Sequence, residues 1–216
     1  MKNKICSFTA FFTTLIIVLS VSCSRTEPKI NYGFIKMVVY QEEDGTREQY
    51  SFFVLPEDED GVDNLAELFL YHDREQLRWK IESDEWLRST HDGMEWIGTR
   101  SIASNERSLP RGVFRAVLVN KGGVSSERTF TYDGSVRFPF PEIEISNGMY
   151  NINSRWPVNR LVCYDSPGDF VQTITLQSLT GNIAELRLPS SVRTVALWAE
   201  DEANFCSAFT LVVPIN

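Results

Sequence analysis

The sequence is short of the residues that carry most enzymatic chemistry. Histidine, the usual general base and metal ligand, occurs twice in 216 residues, at His72 and His91. Each precedes an aspartate, in Tyr71-His72-Asp73-Arg74 and Thr90-His91-Asp92-Gly93, which is the setting of a polar turn. A His, Asp and Ser triad could be assembled around either one. Yet there is no Gly-x-Ser-x-Gly elbow, His-Glu-x-x-His, Walker loop, dinucleotide glycine pattern or Cys-x-x-Cys. Both histidines read as loop residues, and no catalysis and no cofactor are expected. Positive charge is scarce too. With 21 Lys plus Arg against 29 Asp plus Glu, the formal charge is 21 − 29 = −8, which excludes nucleic acid as a partner, because a phosphate binder needs a basic stripe.

Long helical periodicity is also missing. No stretch beyond about ten residues keeps a clean 3.6-residue period, and residues 62–71 come nearest. The densest acidic segment, Glu57-Asp58-Glu59-Asp60-Gly61-Val62-Asp63, could offer Asp58, Asp60 and Asp63 to calcium. Val62 and Ala66 stand where an EF-hand loop needs oxygen ligands, so the segment reads as a solvated loop with no metal.

Uncharged residues run long at one place only. Met1-Lys2-Asn3-Lys4 is a basic start, and from Ile5 eighteen residues without a charge reach Ser22. This is the layout of a secretory signal. The run ends in Leu19-Ser20-Val21-Ser22-Cys23. Small residues before a Cys resemble the lipobox of bacterial lipoprotein signals, in the relaxed form of spirochaete lipoproteins, since Ser20 stands where Leu is usual and Leu19 is one residue further back. The resemblance implies cleavage after residue 22 and acylation of Cys23. Ordinary signal cleavage near Ser22 and an uncleaved spanning helix are the alternatives, the latter disfavoured because eighteen residues diluted by Ser and Thr are short for a bilayer core. Residues 23–29 read as a polar tether broken by Pro28. Cleavage would remove Lys2 and Lys4, leaving a charge of 19 − 29 = −10. An acidic body is repelled by anionic headgroups, so attachment would rest on the lipid.

Past residue 30 the period is two. Ile35, Met37 and Val39 alternate with Phe34, Lys36 and Val38, and Leu77, Trp79 and Ile81 with Gln76, Arg78 and Lys80. Turn clusters recur between such segments, among them Glu43-Asp44-Gly45, His91-Asp92-Gly93, Lys121-Gly122-Gly123 and Ser166-Pro167-Gly168. The fold class is all-β, a sandwich or barrel. Leu109-Pro110-Arg111-Gly112-Val113-Phe114-Arg115-Ala116-Val117-Leu118 matches residues 188–197 at Leu, Pro, Val and Leu without a gap, and Phe130-Thr131 matches Phe209-Thr210 at the same offset. Two tandem sandwiches follow, residues 30–133 and 134–216, with two similar hairpins inside one larger sandwich as the alternative. The run from Leu109 to Ser126 resembles the last hairpin of fibronectin type III and related immunoglobulin-like domains. Phe114 stands for their hallmark Tyr, so the resemblance implies the packing of that residue without its hydroxyl contact.

Four cysteines are present. Cys6 leaves with the signal and Cys23 takes the lipid, which leaves Cys163 and Cys206 as a candidate disulfide of an exported protein or as two buried thiols. Of the five tryptophans, Trp79 shares a face with Leu77 and Ile81 and reads as core, as does Trp198 in its apolar run. Trp86, Trp96 and Trp156 lie near turns; they are either packed or a ligand surface. The combined expectation is a lipid-anchored, non-catalytic lipoprotein of the bacterial cell envelope, facing periplasm or exterior. It would be held to the membrane by Cys23 and would bind an envelope protein or glycan. An envelope hydrolase using His72 or His91 and a carbohydrate-binding module using exposed Trp are the rivals.

Overall fold

Alternation at period two becomes strands. In β1 (Lys29–Glu42) Ile35, Met37 and Val39 are buried on one face, and β4 (Leu77–Glu82) sends Leu77, Trp79 and Ile81 one way and Arg78, Lys80 and Glu82 to solvent. The computed structural model describes residues 26–166 and 168–215, and strands joined by short 3-10 turns are the regular elements among them. The signal segment and Cys23 lie outside the described residues. No helix among the described residues is long and apolar enough to cross a membrane.

In the first half, β1, β2 (Gly45–Glu57), β6 (Met94–Ile102) and β5 (Leu87–His91) lie side by side. Against them packs a sheet in the order β4, β3 (Leu65–His72), β7 (Gly112–Asn120), β8 (Ser125–Tyr132). The layers close over Tyr50, Phe52 and Ile97 from one sheet and Leu68, Leu70, Phe114 and Leu118 from the other, all with no measurable exposure. Each such side chain contributes roughly 1.5–3 kcal/mol by leaving water. In the β7–β8 hairpin Phe114 is buried and packs edge-on to Tyr50 at 5.8 Å.

In the second half, β9 (Glu142–Ser146), β10 (Met149–Asn153) and β13 (Thr180–Asn182) form one small sheet. It faces β11 (Val158–Tyr164), β12 (Phe170–Thr175), β14 (Thr194–Asp201) and the short β16 (Val213–Pro214) across a core of Tyr150, Ile152, Leu161, Cys163, Val195 and Leu197, while β15 (Cys206–Phe209) pairs with the far end of β14. The internal repeat corresponds to β7 with β8 and β14 with β15. Leu118 and Leu197 are both fully buried, but Val113 is 59% exposed and Val192 only 3%, so the copies share a layout more than an environment.

Residue 133 ends the first half in the coil before β9, but the two halves are not separate in space. β15 pairs in parallel with β1, from Met37↔Cys206 to Tyr40↔Phe209, making one continuous sheet in the order β12-β11-β14-β15-β1-β2-β6-β5. Trp156, Ala199, Cys206 and Ala208 pack into the first core. Tyr132 Oη donates to the Phe205 carbonyl at 3.1 Å, and Arg111 Nε to the Gly134 carbonyl at 2.8 Å.

Candidate ligand-binding face

Along β14, Val195 and Leu197 point into the second core and Ala199, on the same face, into the first. Both smaller sheets therefore cover one side of the long sheet. An antiparallel sheet usually turns polar side chains to water on its open side, whereas this one turns aromatics. Phe34 of β1 stacks on Phe53 of β2 at 5.8 Å and meets Trp96 of β6 at 5.7 Å. Further along, Phe209 of β15 contacts Tyr40 at 5.8 Å and Trp198 of β14 at 5.6 Å. Trp198 is thus half-buried on the outer face, in place of the core position its apolar run suggests, because the strand's other parity fills the cores.

Between these groups the Glu200 carboxylate, almost fully buried, accepts from Lys36 and Arg160, and Lys36 Nζ also sits 5.7 Å from the Trp198 ring centre. Burial pushes the Glu200 carboxyl up, but the hydrogen bonds from Lys36 and Arg160 outweigh it and leave the group below its ordinary value of 4.5. Its stabilisation is fully present above that value and is lost as pH falls through the lower, folded one. Glu200→Gln is therefore expected to flatten the loss of stability below about pH 4.5, read by urea melts from neutral pH to about pH 3. An unchanged acid limb would contradict this.

Two hollows open on the face and share Phe34. The first, about 440 Å³, has walls of Phe34, Phe53 and Trp96 and a rim of Ser89, Thr90, His91 and Arg100. Between Trp96 and Arg100 the strands approach closely: a Cβ on Gly98 would stand 2.1 Å from the Phe52 carbonyl oxygen. The second, about 360 Å³, lies among Phe34, Lys36, Glu200, Glu202 and Phe205. Phe205 is 53% exposed and holds the left-handed conformation, φ 49°. The matching turn after β3 has the same dihedrals at its first residue, His72 (−117°, 90°) against Asp201 (−118°, 89°), and puts Gln76 at the left-handed place. The turn itself does not require an exposed aromatic ring. A larger hollow of about 670 Å³ beside loop 104–111 has no aromatic wall, and its arginines are committed, Arg74 to Glu75 and Arg111 to Glu48.

Of the three turn-proximal tryptophans, only Trp96 lies on this face, and its Nε1 has no hydrogen-bond partner among the described residues. Trp86 and Trp156 are corrected from ligand surface to core. Their Nε1 groups donate to the Ile81 and Pro139 carbonyls at 3.1 and 2.9 Å, which lets the indoles bury at 8% and 4% exposure. His72 is corrected as well. It is a buried residue ending β3, its Nε2 3.0 Å from the Arg111 carbonyl oxygen and its Nδ1 accepting from Glu75 N. His91 is exposed at the end of β5 in the other sheet, so the two histidines are not brought together. The acidic loop is a turn in which Asp58 accepts from Asp60 N and Asn64 Nδ2 while Asp63 pairs with Arg88. No cluster of three metal-ligating side chains occurs among the described residues.

The candidate disulfide is corrected too: Cys163 and Cys206 are buried free thiols. β11 and β15 flank β14 on opposite sides, with Cys163 opposite Val195 and Cys206 opposite Asp201. That offset of 201 − 195 = 6 residues is about 20 Å along the strand, far beyond the roughly 7 Å between Cα atoms that a bridge tolerates. Burial pushes both thiols up, Cys206 to about 11. A thiol reagent is expected to leave both unmodified in the native protein and to label both after denaturation; failure to label either after denaturation would contradict free thiols.

No protein-family model matches the chain, and no curated protein matches it. Among solved structures it is similar to the 47-kilodalton lipoprotein Tp47 of Treponema pallidum, at 11% identity and a TM-score of 0.40, over 91% of this chain and 52% of that one. It is also similar to dimeric latent PorU from Porphyromonas gingivalis, at 12% identity and a TM-score of 0.32, over 87% and 20%. A third similarity is to the BSP domain of a biofilm-associated protein, at 12% identity and a TM-score of 0.26, over 84% and 29%. The chain spans about half the length of the first of these and a fifth of the second.

Proposed function

We propose that the protein is a non-catalytic binding module of the bacterial cell envelope, held at a membrane by an acylated Cys23, and that the aromatic face of the long sheet meets its partner. The observation that carries the reading is that face itself. Rings from five strands stand on the side of the sheet that neither core uses, with Phe34 38% exposed and Phe205 53% exposed. Exposed aromatic surface costs solubility and is kept where something binds it. The anchor draws on the signal-like start and Cys23, and the non-catalytic reading on a rim whose hydroxyls, Ser89 and Thr90, make no side-chain hydrogen bond to the neighbouring His91 among the described residues.

Two measurements test the reading. The intact mass of the native protein extracted with detergent should equal residues 23–216 plus acyl chains, and a mass with no acyl addition would overturn the anchor. Residues 26–216, made without lipid, should bind isolated cell envelopes saturably, and Phe34→Ser with Trp96→Ser should weaken this at least about tenfold, a loss near 1.4 kcal/mol. Equal binding by the folded double variant would overturn the face.

A further inference from the structure

We propose that the first hollow binds a glycan carrying carboxylates, its sugar ring against Phe34 and Trp96 and its carboxylate on Arg100. This rests on the reading of the aromatic face as a binding surface and names what it takes. Three observations carry it. First, Arg100 is exposed and makes no hydrogen bond or ion pair with a carboxylate among the described residues, in a chain with more acids than bases. Neighbouring cations are spent: Arg88 on Asp63 and Glu95, Lys36 and Arg160 on Glu200. The Tyr40 phenol is pushed up by burial, and the positive charge of Arg100 partly offsets this. A planar, unpaired guanidinium on the rim offers a two-pronged seat for a carboxylate.

Second, no carboxylate lines this hollow; of the acids beside its lining residues, Glu95 is paired with Arg88 and Asp92 sits 3.4 Å from His91 Nε2 on the β5–β6 turn. The second hollow, by contrast, contains Glu200 and Glu202. The anionic sugar therefore belongs at Arg100, and uncharged sugars at the Phe34 and Phe205 end. Third, the rings are edged by hydroxyls rather than by more apolar surface. Ser89 and Thr90 make no side-chain hydrogen bond among the described residues, leaving both free for sugar hydroxyls. From β5 across β6, β2, β1 and β15 to β14 the residues of the two hollows span five strand spacings, about 24 Å, which suits an oligosaccharide better than one ring.

The test is calorimetric titration of the full chain in detergent with tetragalacturonate and hyaluronate hexasaccharide, against maltohexaose as the neutral probe. Saturable binding of an anionic probe is expected at millimolar concentration or below, with maltohexaose at least about tenfold weaker. Arg100→Gln should abolish that preference, and Phe34→Ala should weaken anionic and neutral probes alike. Both side chains are exposed, so unchanged thermal melting verifies folding. The proposal is overturned if neither anionic probe saturates, if maltohexaose binds as well, or if Arg100→Gln keeps the preference. If no glycan probe binds while envelope binding still depends on Phe34 and Trp96, the face stands and its ligand is a protein. If envelope binding ignores those residues, the underlying reading fails instead.

Discussion

Replacing Arg111 with Met is expected to destabilise the protein by about 3 kcal/mol, as for breaking a mostly buried ion pair from one side. Arg111 grips Glu48 with two prongs, Nη1 to Oε2 at 2.9 Å and Nη2 to Oε1 at 2.7 Å. It also donates to Tyr50 Oη at 2.9 Å and to the Gly134 carbonyl. Burial alone would push the guanidinium down, but Glu48 and the two tyrosines around it hold it above its ordinary range, and burial pushes the Tyr50 and Tyr132 hydroxyls up. After the substitution Glu48 keeps only the Leu109 amide, at 2.8 Å, and its remaining charge has little water to turn to. Adding Glu48→Leu should restore a large part of the loss, because removing both charges leaves no buried charge unpaired. Chemical denaturation of the two variants checks this. A loss below about 1 kcal/mol for Arg111→Met would show that the pair behaves like a surface ion pair.

Cutting the chain after Asp133 should have the larger effect. Residues 26–133 alone would lose Trp156, Ala199, Cys206 and Ala208 from the first core and leave the inner stretch of β1, Met37 to Tyr40, without its parallel neighbour. Removing one buried Trp costs about 3–5 kcal/mol, and the whole of a domain's stability is about 5–15 kcal/mol. The fragment is expected to fail to fold cooperatively or to associate through the bared edge. The complete chain should melt in one transition. A fragment melting within a few degrees of the complete chain would contradict the shared core.

The strands were legible because alternation and burial agree wherever one face is apolar and the other charged, as in Leu77-Arg78-Trp79-Lys80-Ile81. β1 was legible as a strand, but its second face was not legible as a site. Phe34 and Val38 alternate with buried residues, and alternation alone cannot say whether a second apolar face is covered. The pairing of β1 with β15 joins residues about 170 apart, and no local pattern records it. Proximity to a turn left Trp86 and Trp156 open between core and surface, and the core takes both because a nearby backbone carbonyl satisfies each indole and removes its need for water. The same physics buried His72, whose two ring nitrogens both find backbone partners. The cysteines failed as a pair through position: both strands neighbour β14, but on opposite sides, and Cys163 and Cys206 stand at opposite ends of it. Of the candidate ligand residues, Trp96 alone was both named from its turn and found on the face.

The most direct test of a working aromatic face is hydroxyl-radical footprinting of the protein in intact cell envelopes and after purification in detergent. Phe34, Trp96 and Phe205 should be oxidised more slowly in the envelope, while Tyr32 and Phe170, exposed outside the two hollows, should react alike in both. Equal oxidation of Phe34, Trp96 and Phe205 in the two states would mean that nothing occupies the face where the protein works, and would contradict the account.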